Sequence, residues 1–136
     1  MKIPKFEAQT EWVKPTEFPD LRQVEEIAID LETKDPDLLK KGSGSVIGNG
    51  EVIGIAVATK HFKGYFPIAH EGGGNMDRAR VLSWLKDILE APSTKVFHNA
   101  IYDVCWLRAM GFKINGDIAC TMIASAVTDE NRFRYD

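Results

Sequence analysis

The chain has 136 residues, 17 Lys and Arg against 20 Asp and Glu, a formal net charge of −3 and 44% hydrophobic residues; this is the length and balance of one folded domain, and the acidic surplus excludes a charge-driven grip on nucleic acid. No apolar run reaches the roughly 18 residues of a membrane helix, and the start MKIPKFEAQTEW lacks a signal-peptide core. The two cysteines, Cys105 and Cys120, provide neither a disulfide scaffold nor a thiolate zinc site, so a reducing, cytoplasmic compartment is expected.

Residues 1–22 mix charges with three prolines and hold no sustained period. They read as an irregular leader on the surface of a domain spanning 23–136. Val24, Ile27, Ile29 and Leu31 form a mostly buried strand that carries Asp30 and Glu32. A polar loop over 34–50 ends in glycines. Glu51–Thr59 (EVIGIAVAT) carries the strongest strand signal, and Lys63–Ala69 follows after a hairpin-length turn, so these two strands are antiparallel. After Gly72–Gly74, Asn75 can cap a helix from Met76, with Val81, Leu82, Leu85, Ile88 and Leu89 at helical spacing and Pro92 at its end. Lys95–His98 is a short strand, Ala100–Met110 a helix stopped by Gly111, Phe112–Ile114 a short strand and Thr121–Val127 a helix.

The order β-β-β-α-β-α-β-α predicts an α/β fold. A three-strand antiparallel meander followed by αβαβα units makes a mixed five-stranded sheet flanked by helices, the ribonuclease-H-like plan. The chain stops at Asn131–Asp136 with no capping helix, which reads as a cut inside a domain.

Asp30 and Glu32 stand two apart on one strand and share a face. Two like charges on an apolar strand call for a neutralising cation, and hard carboxylate oxygens favour Mg²⁺ or Mn²⁺. The plainer alternative ends the strand at Asp30 and leaves Glu32 solvated in a turn. Asp103 falls in the first turn of the helix after His98–Asn99. There the helix dipole favours a carboxylate and Asn99 can serve as N-cap. The sharper alternative makes Asp103 a third ligand at the carboxyl ends of the strands, where functional groups gather in such sheets.

The remaining features read as structure. Gly42–Gly50 and Gly72–Gly74 lack the context of a dinucleotide fingerprint or a P-loop. His61, His70 and His98 lack zinc-ligand spacing. Trp84 and Trp106 are packing residues, and Cys105 a small buried hydrophobe.

Asp30-Leu31-Glu32-Thr33 resembles the first motif of the DEDD-type 3′–5′ exonucleases, and His98-Asn99-Ala100-Ile101-Tyr102-Asp103 the second. The similarity is greatest to the proofreading domains of phage-like family A DNA polymerases. It extends through Thr121-Met122-Ile123-Ala124-Ser125 and Asp129-Glu130-Asn131, and so covers about residues 20 to 136. It implies hydrolysis of the terminal phosphodiester of DNA with two bound ions, Mg²⁺ or Mn²⁺, held by Asp30, Glu32 and Asp103. Glu32 also touches the terminal 3′-OH, while positions around Leu31, Thr33, Asn99 and Tyr102 seat the last nucleotides. The implied partners are a single-stranded or frayed 3′ end and a polymerase domain in cis, in the cytoplasm of a bacterial or phage-infected cell and without a membrane. A stand-alone exoribonuclease of the same fold and a catalytically defective DNA-binding or bracing domain are the rival readings.

Two departures stand out. Cys120 occupies the position where the family has an Asp before Thr121. The family's third motif, with its fourth carboxylate, lies beyond this chain, and Tyr135-Asp136 comes too early to replace it. The 136 residues alone are therefore expected to be weak or inactive as a nuclease.

Overall fold

A computed structural model describes residues 12–129. Side chains alternate along β1 (Glu26–Lys34): Ile27, Ile29 and Leu31 are buried, whereas Ala28, Asp30 and Glu32 are exposed. The strand is therefore covered on one face, not mostly buried as its composition predicted. Its neighbours on the meander side join antiparallel, and antiparallel sheets can leave one face open to water.

Residues 34–50, read from the sequence as a loop, hold two single-turn helices, α1 (Leu38–Lys41) and α2 (Gly44–Ile47). Four-residue helices carry no readable period. The hairpin of β2 (Glu51–Ala58) and β3 (Lys63–Pro67) forms as expected, with Ala56 opposite Tyr65. α3 (Arg78–Glu90) starts two residues later than predicted, because Asp77 caps it by accepting from the Arg80 N–H at 3.1 Å. Asn75 instead holds the backbone of His70, accepting at 2.7 Å and donating at 2.9 Å.

β4 (Thr94–Phe97) leads into α4 (Ala100–Ala109). The last strand, β5, is Ile118–Cys120, which pairs parallel to β4 with Val96 opposite Ala119. The strand expected at Phe112–Ile114 is absent. The Phe112 N–H returns to Leu107 O at 3.0 Å, and Phe112 and Ile114 pack half-buried on the core. The return to the sheet is made at Gly116, whose φ is +75° and where a Cβ would lie 2.2 Å from Ser93 O. α5 (Thr121–Thr128) follows.

The sheet order is β3-β2-β1-β4-β5, antiparallel from β1 to β3 and parallel from β1 to β5. Val81, Leu85, Ile88 and Leu89 of α3 and Val104, Trp106 and Leu107 of α4 join Ile27, Ile29, Ile55, Phe66 and Phe97 in one core. Cys105 is only partly buried. Residues 1–11 of the expected leader lie outside the described residues; residues 12–25 form no regular element, yet Leu21 is in the core, Phe18 packs on Phe66 and Trp84, and Pro19 O accepts from Trp84 Nε1 at 2.8 Å. Among the described residues no helix is long and apolar enough to cross a membrane. Glu130–Asn131 and the chain end Asn131–Asp136, with Tyr135-Asp136, lie outside the described residues.

Candidate functional site

β1 and β4 run parallel, with Ile27 beside Lys95 and Ala28 beside Val96. The start of α4, which directly follows β4, is therefore brought to the same edge as the carboxyl end of β1. That topology joins Asp30 to Asp103 across 73 residues of sequence.

Asp30 and Glu32 share the open face of β1, and their cross-strand partners on β2 are Ala56 and Gly54. Ala56 keeps the face beside Asp30 low, whereas the Tyr65 ring lies over Gly54, where a Cβ would come within 1.9 Å of its hydroxyl oxygen. Asp103 differs in setting: it is 3% exposed. The Leu31 backbone N–H donates to its carboxylate. Its Oδ2 is buried without a hydrogen-bond partner among the described residues. Burial, and after it the charge of Asp30, push its pKa up to about 7, against the opposing pull of the Leu31 N–H. An orphaned carboxylate oxygen beside a second carboxylate is a donor set that a hard divalent cation satisfies.

Glu32 lies farther along the same face. Burial and the Glu32 charge together hold the Tyr65 phenol above its ordinary pKa. Among the described residues no group of three or more His, Cys, Asp or Glu is close enough to hold an ion. The geometry therefore couples Asp30 with Asp103 and sets Glu32 beside them without closing a three-carboxylate cage.

The Leu31 side chain points into the core, 7% exposed. A β-bulge falls between Glu32 and Thr33, and Thr33 Oγ1 shares a 2.8 Å hydrogen bond with Tyr102 Oη. Asn99 is exposed and adopts a left-handed conformation, φ +65°, at the N-cap of α4 without a side-chain capping bond.

Several neighbours escaped sequence reasoning. Tyr65 Oη and His70 Nε2 share a hydrogen bond of 2.5 Å. His98 Nδ1 is 2.9 Å from Thr121 Oγ1. Asp35 anchors the 34–50 segment. No motif spacing marks these pairs, which only the folded sheet brings together. Cys120 Sγ accepts from the Ala100 N–H at 3.4 Å. Burial opposes its thiolate, but the N–H groups of Ala100, Ile123, Asn99 and Met122 outweigh that and hold the thiol below its ordinary pKa. The thiol thus takes the N–H donors that an aspartate would take at this position. A groove of about 960 Å³ crosses the open face, with Asp30 and Ala56 in its lining beside Trp12, Lys14, Tyr65 and His98.

The 3′–5′ exonuclease family matches residues 16–136. A DNA-directed DNA polymerase of Pseudomonas phage M6 is 41% identical over 114 residues, covering 76% of this chain and 16% of that protein. The DNA polymerase DpoZ of Acinetobacter phage SH-Ab 15497 is 27% identical over 121 residues, covering 88% of this chain and 17% of that protein. The chain thus spans about a sixth of the length of these curated relatives. In fold it is similar to Brucella melitensis NrnC, with a TM-score of 0.56 and 23% identity over 85% of this chain and 50% of that one. The NrnC structure with bound Mg²⁺ aligns equally well, with a TM-score of 0.56.

Proposed function

The chain belongs to the 3′–5′ exonuclease family, as found in phage DNA polymerases, and on that premise we propose that it removes nucleotides from the 3′ end of DNA, proofreading for a polymerase domain in cis. The observation that carries this reading is the pairing of the buried, half-satisfied Asp103 carboxylate with Asp30 at the strand edge.

Asp30, Asp103 and the adjoining Glu32 are the residues that would hold two divalent ions, Mg²⁺ or Mn²⁺. Such ions supply charge neutralisation at the scissile phosphate and a more acidic water. The protein's own part is positional. Asp103 is fixed by α4 and by the Leu31 N–H, so one carboxylate is held in place before anything binds. Glu32, beyond the pair, would accept from the terminal 3′-OH. Ala56 leaves the face beside Asp30 low, and the Tyr65 ring, seated over Gly54, borders the space a nucleotide would enter. Hydrolysis adds water across the last phosphodiester bond; the penultimate 3′ oxygen leaves and takes up a proton, and a 5′-mononucleotide is released. Asn99, exposed at the head of α4, would contact the terminal nucleotides. The working compartment is the cytoplasm of a phage-infected bacterial cell.

The test uses a chain extended through the third family motif, with a 5′-labelled single-stranded DNA 20-mer and its RNA counterpart, each with Mg²⁺ and with EDTA. A ladder shortening one nucleotide at a time from the 3′ end, dependent on Mg²⁺, faster on DNA and lost in Asp30→Ala, is the expected result. Faster shortening of RNA would move the assignment to an exoribonuclease. Binding of the 20-mer with no cleavage would make it a non-enzymatic end-binding domain.

A further inference from the structure

Behind the acids, a chain of hydrogen bonds ties β1 to α4 through a residue that none of the family motifs above contains. Tyr102 Oη is 2.8 Å from Thr33 Oγ1 and donates to Asp35 Oδ2 at 2.9 Å. The phenol has one proton, which it gives to Asp35, so Thr33 must be the donor to Tyr102. The two oxygens of Asp35 also accept from the Gly44 backbone N–H, at 3.1 and 3.0 Å. Gly44 is buried, and a Cβ there would lie 1.7 Å from Asn49 O and 2.9 Å from Asp35 Oδ1. The next link outward is Asn49 Nδ2, which donates to Asp37 Oδ2 at 2.7 Å.

The position of this chain matters more than its length. Thr33 follows Glu32 and Tyr102 precedes Asp103. The network therefore bridges the two backbone segments that carry the acids, next to the bulge that re-aims β1 between Glu32 and Thr33. It also commits the one proton of the Tyr102 hydroxyl to Asp35.

We propose that Asp35 is a positioning residue for the acids: through Tyr102 and the Gly44 N–H it fixes the spacing between the β1 carboxylates and Asp103, so that a divalent cation meets both at a preset distance. This rests on reading those carboxylates as cation ligands. Charge-assisted hydrogen bonds are stronger and geometrically stricter than neutral ones, and groups that orient ligands commonly change metal affinity by about 10–100-fold when lost.

The test measures Mn²⁺ affinity of the substrate-free chain, by calorimetry and by the free-Mn²⁺ electron paramagnetic resonance signal. The variants are Asp35→Ala, Asp35→Asn and Tyr102→Phe, with thermal melting in EDTA alongside. The expected result is Mn²⁺ binding weakened about tenfold or more in Asp35→Ala and Tyr102→Phe, with Asp35→Asn in between. Tyr102→Phe removes one oxygen and should melt within a few degrees of the parent, so its effect reports spacing and not unfolding. Unchanged Mn²⁺ affinity in Tyr102→Phe, or a parent chain that binds no Mn²⁺, overturns the proposal. If the Mn²⁺ effect holds but a chain extended through the third family motif releases no nucleotide from DNA, the nuclease reading fails while the role of Asp35 stands.

Discussion

Asp103 shows most directly what the site does to one residue. Its pKa is pushed up to about 7 by burial and by Asp30, whereas an unfolded aspartate titrates near 3.9. Between those values the folded chain holds a proton that the unfolded chain has released. Stability contributed by Asp103 must therefore fall as pH rises from about 4 to 7 and level off above. In EDTA, Asp103→Asn is expected to melt higher than the parent at pH 8 and to match it more closely at pH 5. Mg²⁺ should raise the melting temperature of the parent at pH 8 and leave the variant unmoved. A parent–variant difference that does not change between pH 5 and 8 would contradict this. A site that destabilises its own fold is a common consequence of function. Strand alternation put Asp30 and Glu32 on one face of β1, and the strand-to-helix junction put Asp103 in the first turn of α4, as the structure has them. Asp35 was not legible: its meaning depends on Gly44 and Tyr102, which are 9 and 67 residues away.

Periodicity revealed the long elements and missed the short ones. β2, α3 and α4 repeat a buried face over 8, 13 and 10 residues, enough for alternation or a helical stripe to stand out. α1 and α2 have four residues each and β5 three, too few for any period. The apolar Phe112 and Ile114 therefore attracted the strand assignment that belongs to Ile118–Cys120. What holds β5 in place is partly Lys95, 0% exposed. Its Nζ donates to Asn115 O at 2.7 Å, to Ser93 O at 3.0 Å and to Ala91 O. It ties the end of α3 to the segment entering β5. Lys95→Met keeps the volume but leaves three carbonyls unpaired, and it should lose about 2–4 kcal/mol in urea unfolding. A loss under 1 kcal/mol would mean water replaces the ammonium freely. At the other end of β5, Cys120 sits where N–H groups of α4 and α5 converge. A carboxylate should fill that position better, so Cys120→Asp is expected to stabilise by about 1 kcal/mol. A lower melting temperature for Cys120→Asp would show that the site is too dry for the charge.

For the molecule as a whole, the element order was enough to place the sheet, since short connections and the meander leave few topologies open. The bare face was not foreseen; it follows from the absence, among the described residues, of a helix layer over Ala28, Asp30 and Ala56. A net charge of −3 provides little general attraction to duplex DNA. The aromatic rings beside the groove suit unstacked bases. A single-stranded or frayed 3′ end should therefore be shortened faster than a blunt duplex of the same sequence, and equal rates on 5′-labelled substrates would contradict that preference. The central claim, that the β1 and α4 acids form one cation site, is tested most directly by Mn²⁺ anomalous scattering from crystals of the chain soaked at pH 8. The expected result is an anomalous peak between Asp30 and Asp103, within ligand distance of both carboxylates, that disappears in Asp103→Asn. A parent crystal with Mn²⁺ bound elsewhere and none between these two residues would contradict it.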